Sequence, residues 1–134
     1  MWLLVSLLTV QSAAVLTCLW AIREVKEFLR QHPQMDGGAA LEHFKDLARV
    51  NMKLALIIIP VLLLGLGLSL VLVNRDGFSG LAIVLVINAV SIGTSVYLGK
   101  LEKRSRTLPT PDQGLAQEYQ RVARAWTHRA LPDF

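Results

Sequence analysis

Charge is what this chain lacks, and it lacks it in blocks. Only 18% of its 134 residues are Asp, Glu, Lys or Arg, and none falls within residues 1–22, 54–74 or 77–99. These three runs make up 66 residues. Histidine is missing from them as well, since His32, His43 and His128 all lie outside. A bilayer core about 30 Å thick is crossed by roughly 20 apolar residues of helix. Three such runs in so short a chain exclude an ordinary water-soluble globule.

Other absences narrow the chemistry. Cys18 is the single cysteine, so no internal disulfide is available, and within an apolar run it reads as a small packing residue. There is no Asn-x-Ser/Thr glycosylation acceptor. A hydrophobic fraction of 53% argues against disorder, and a net charge of +4 with few charges argues against nucleic-acid binding. Charged or histidine residues at membrane depth usually mark ion paths, proton relays or counter-ions. Their absence argues against a proton-driven transporter, a rotary-ring subunit or a haem ligated inside the bilayer. His32 and His43 flank a turn, yet no cysteine or carboxylate cluster completes a metal site beside them. Gly65-Leu66-Gly67 lacks the strand, Lys and Ser/Thr context of a phosphate loop. No nucleophile stands in an acid–base constellation. The expectation is a chain with no catalysis, no cofactor and no metal.

The charges that are present set a direction. Six of the 14 Lys and Arg residues lie between the first and second runs and seven follow the third, whereas Arg75 alone sits between the second and third. Cationic loops stay on the cytoplasmic side. This places the amino terminus outside, a loop inside, a short turn outside and the tail inside. The first run carries its positive charges after it (Arg23, Lys26) rather than before it. It therefore reads as a retained span and not as a cleaved signal peptide, and the lack of a targeting peptide favours a bacterial plasma membrane over an organellar one.

Beyond lipid, apolar residues continue at helical spacing through Val25, Phe28 and Leu29 until Pro33. A turn follows over residues 33–38, and a second helix restarts near Ala39 with Leu41, Phe44, Leu47 and Ala48 on one face. These two arms predict an antiparallel hairpin. Pro60 inside the second run removes a backbone donor and crowds the Leu56 carbonyl, so a bend is expected there. Asn74-Arg75-Asp76-Gly77 predicts a tight turn.

The tail opens with Lys100, Lys103, Arg104 and Arg106, where an anionic leaflet attracts each charge by roughly 1 kcal/mol. Pro109 and Pro111 interrupt helix, and Asp112 is placed to cap the next one. Leu115, Tyr119, Val122 and Trp126 then step along one face of an amphipathic helix. Three fates are open to that face: the membrane interface, the Val25/Phe28/Leu41/Phe44 seam, or another subunit.

The spans also carry association chemistry, because small residues let helices approach in lipid and polar side chains bond across them. The third run has Asn88, Ser91, Ser95 and Gly99 on one arc and Ala82, Ala89 and Gly93 on the next. The second offers Gly65, Gly67 and Ser69, and the first Thr9, Ala13, Thr17 and Gln11. At 1.5 Å per residue, Gln11 lies about 13 Å and Asn88 about 10 Å from the outer ends of their spans. Their amides are expected to bond within one bundle, where the glycines let the helices close up. The alternative is that one amide faces a partner protein.

The fold class expected is all-α, a polytopic integral membrane protein. Its transmembrane domain covers residues 1–99, with spans at about 2–22, 54–73 and 80–99 and a cytoplasmic hairpin at about 23–53. A basic and amphipathic tail follows over 100–134. The function expected is an accessory or scaffold subunit of a larger membrane complex, in contact with lipids and other membrane subunits. Two alternatives stand beside it. One is a homo-oligomeric channel for neutral solutes lined by Gln11, Asn88, Ser91 and Ser95. The other is a protein binding anionic membrane surfaces through its tail.

Overall fold

The computed structural model describes residues 1–129, 131 and 132. Among these the chain is all-α, with α1 at Trp2–Gln31, α2 at Gly38–Ser105 and α3 at Gln113–His128. Both α1 and α2 are long and apolar enough to cross a membrane, by length and composition.

One periodicity organises the bundle. The buried face of α1 runs Leu7, Gln11, Ala14, Cys18, Ala21, Val25 and Phe28, alternating steps of four and three. An average of 3.5 residues per turn keeps a seam facing its neighbours when helices pack at the shallow angle of a left-handed bundle. The same rhythm recurs late in α2, where Gly80, Val84, Ile87, Ser91, Thr94, Leu98, Leu101 and Ser105 are buried or half-buried.

Straight, the 68 residues of α2 would measure about 100 Å. Instead the helix reverses at Gly77, whose φ of 58° and ψ of −130° form the one non-helical torsion within it. That conformation suits the first central position of a type II′ turn, where glycine is the usual residue. Gly80 completes the reversal, because a Cβ there would meet the Leu72 carbonyl oxygen at 2.7 Å. The reversal makes α2 an arm before Gly77 and an arm after it. Gln11 of α1 lies against both, touching Gly65 of the first and Asn88 and Ser91 of the second. Pro60 continues the first arm without any departure from helical torsions.

The apolar runs leave much of their surface open. Leu63, Leu70 and Val86 are 64, 65 and 70% exposed, a pattern a water-soluble monomer rarely shows. The dense core lies beyond these runs, where α1 and the first arm of α2 extend past them. Phe44 is its centre, with ring centroids 5.8 Å from Phe28, 4.8 Å from Tyr119 and 5.6 Å from Trp126. Met35, in the loop between α1 and α2, is fully buried there, and its amide donates to the Pro109 carbonyl at 2.8 Å.

The third helix is fastened to this core at several points. Asp112 caps it by accepting from the Gly114 amide at 2.9 Å. Tyr119 Oη accepts from the Leu108 amide at 3.0 Å and donates to the Ser105 carbonyl. Lys45 of α2 pairs with Glu118 at 3.4 Å. Burying an aromatic hub of this kind is worth several kcal/mol. Phe44→Ala is accordingly expected to destabilise the α3 docking by about 3–5 kcal/mol. Urea titration followed by tryptophan fluorescence in detergent reads this as an early transition; a transition unchanged from the parent would contradict it.

Candidate functional site: the polar seam at Gln11

Gln11 occupies a core position of the α1 seam where its neighbours are Leu7 and Ala14. Its side chain is almost fully buried and uses both ends of the amide. Nε2 donates to Asn88 Oδ1 at 3.2 Å, and Oε1 accepts from Ser91 Oγ at 2.8 Å. Asn88 Nδ2 in turn donates to the Val84 carbonyl at 2.8 Å, a bond within its own helix. Ser95 Oγ donates to the Ser91 carbonyl at 2.8 Å and lies 4.0 Å from Cys18 Sγ. Among the described residues, every buried side-chain nitrogen and oxygen has a partner.

Gly65 makes room for this network from the other arm of α2. A Cβ at that position would stand 2.9 Å from Gln11 Nε2, so even alanine would displace the amide. One turn on, Ser69 is buried and donates to the Gly65 carbonyl at 2.8 Å. Gln11, Gly65, Ser69, Asn88, Ser91 and Ser95 thus belong to the buried seam or its border.

The remaining small residues do not. Gly67 and Gly93 have nothing within 4 Å of an added Cβ, and both are exposed, as are Ala82 and Ala89.

The tail residues divide in the same way. Lys100, Lys103 and Arg104 are exposed. Arg106 is half-buried; it donates to Thr127 Oγ1 at 2.7 Å and lies over the Trp126 ring at 5.5 Å. The reading of Leu115, Tyr119, Val122 and Trp126 as a partner or membrane contact needs correction. Tyr119, Val122 and Trp126 are buried in the core around Phe44, and Leu115 packs against it. Of the three fates open to the amphipathic face, the structure takes the covering of the chain's own seam, because the aromatic pocket lies within reach of a short linker.

Sequence reasoning left several residues without a role. Gly80 gave no signal, as its contact is with a backbone carbonyl eight residues earlier. His32 Nε2 and His43 Nδ1 stand 3.1 Å apart with their rings edge to face, and both rings pack on Phe28, tying α1 to α2 near their connecting loop. Among the described residues, no group of three His, Cys, Asp or Glu side chains is placed to hold a metal.

Bonds of this kind between helices in lipid contribute modestly, about 0.6–2 kcal/mol each. Gln11→Leu and Asn88→Leu are each expected to lower detergent stability by about that amount, and the double variant by less than the sum. A thermodynamic cycle on the purified protein checks this, and strict additivity would show that the two amides do not act as a pair.

Comparison with known protein families, characterised proteins and solved structures finds no match to this chain. What it does is therefore read from its own residues.

Proposed function

We propose that this chain crosses a membrane three times, with its amino terminus outside and its carboxyl terminus in the cytoplasm, and serves as a non-catalytic subunit of a larger membrane assembly. In this reading α1 and the two arms of α2 are the spans. The core around Phe44 then forms a folded head on the cytoplasmic side. The distribution of Lys and Arg supports that orientation, with Arg75 alone at the outer turn.

One observation carries the assembly reading. Gly67 and Gly93 are open to at least 4 Å around a Cβ, with Ala82 and Ala89 also exposed. Ala82, Ala89 and Gly93 follow one another at steps of seven and four, so they share a face of the second arm of α2. Small residues on a lipid-facing surface gain nothing from lipid, whereas they let another helix approach closely. A cavity of about 480 Å³ between α1 and that arm adds a concave surface, walled by Leu8, Leu16, Val86 and Val90 beside Gln11 and Ser91. The channel reading draws less support, because Gln11, Asn88 and Ser91 bond to one another and so are not left to line a path.

The test is purification in mild detergent from the native membrane. A stoichiometric partner is expected, and Ala89→Leu with Gly93→Leu is expected to release it. The chain's own stability should change by no more than about 0.5 kcal/mol, as for other exposed substitutions. A symmetric oligomer of this chain alone would favour the channel instead, and a lone monomer would contradict both readings.

A further inference from the structure

Where the apolar runs meet the folded head, two cavities of about 190 and 320 Å³ share Asn51, Ala55, Ile59 and Glu102 in their walls. The smaller continues between the arms of α2 along Ile58 and Leu98. The larger opens toward Arg106, Trp126 and Arg129. Together they form one cleft, apolar at one end and charged at the other.

Glu102 stands at the junction. It is half-buried, and its carboxylate makes no hydrogen bond or ion pair among the described residues. Burial pushes its pKa up, and the charge of Arg106 offsets this only in part. The carboxylate keeps part of its contact with water, but partial burial without a protein donor still disfavours its charge. Arg106, one helical turn on, does not close the gap, since its guanidinium is turned to Thr127 and Trp126. A guanidinium has five N–H donors, so Arg106 has further donors to offer an anion. The cleft therefore presents an acceptor with no donor from the described residues and, one turn away, a cation with donors to spare.

We propose that this cleft binds the headgroup of a zwitterionic phospholipid bearing a primary ammonium, the phosphatidylethanolamine class. The ammonium donates to Glu102, the phosphodiester accepts from Arg106, and an acyl chain lies along Ile58, Ile59 and Leu98. The complementarity is one of charge and of donors. A trimethylated headgroup has no N–H for Glu102, and an anionic headgroup without an amine leaves that carboxylate unanswered. The proposal rests on the membrane reading above.

The experiment titrates the full-length protein, purified in mild detergent, with dioctanoyl phosphatidylethanolamine, phosphatidylcholine and phosphatidylglycerol of equal chain length. Binding is read by native mass spectrometry and tryptophan fluorescence. Free phosphoethanolamine is titrated alongside to separate a lipid from a soluble headgroup. The ethanolamine lipid is expected to bind about tenfold more tightly than the other two, from the loss of one charge-assisted hydrogen bond. Free phosphoethanolamine is expected to bind far more weakly. Glu102→Gln, which keeps the side-chain volume, should abolish the preference while lipid uptake persists. Equal binding of the three lipids, a preference for phosphatidylglycerol, a preference surviving in Glu102→Gln, or free phosphoethanolamine matching the lipid would each overturn the site alone. Uptake of no lipid at all would overturn the membrane reading and the site with it.

Discussion

The structure depends on a single steric and polar constraint: one glutamine in an apolar seam that must have both ends of its amide answered. Gln11 sits where the 3.5-residue rhythm of α1 faces both arms of α2. An unanswered amide at that depth would cost far more than a satisfied one contributes. Asn88 and Ser91 answer it from one arm, and the absence of a side chain at Gly65 admits it from the other. A shift of either arm by one residue would leave the amide unanswered or drive Gly65's neighbours into it. A weak interaction in energy thereby fixes register, a use of buried polar groups known from coiled coils.

The reversal at Gly77 is what allows two arms of one helix to meet α1 at the same level. Gly77 supplies the torsion and Gly80 the close approach to Leu72. Beyond the apolar runs, the physics changes from sparse packing and a few hydrogen bonds to a dense aromatic core around Phe44. There α3 covers an apolar surface that two helices cannot bury by themselves. Glu102 lies half-buried at the border between these regimes, without a hydrogen bond or ion pair among the described residues.

How much of this was legible in the sequence follows from what each signal encodes. The three uncharged runs and the Gly77 turn were visible because lipid and left-handed backbone each admit a narrow set of residues. Counting depth at 1.5 Å per residue put Gln11 and Asn88 at one level, and the structure has them 3.2 Å apart. The destination of α3 was not legible, since an amphipathic face states that it needs a cover and not which one. Gly67 and Gly93 looked like Gly65 in composition, yet of the three only Gly65 faces a side chain, because helical phase relative to a partner is absent from a list of small residues. Glu102 gave no signal in the sequence, because its spacing of four from Arg106 does not show where the guanidinium points. Only the positions of Thr127 and Trp126 draw the guanidinium aside.

The central proposal is that the reversal of α2 at Gly77 gives the chain three membrane passes rather than two. Single-cysteine variants at Asp36 and Phe78, in a Cys18→Ala background, test it by labelling with an impermeant maleimide in intact cells. The account predicts that the cysteine at position 78 reacts from outside, whereas the one at position 36 reacts only after the membrane is opened. Labelling of both from the same side would contradict it.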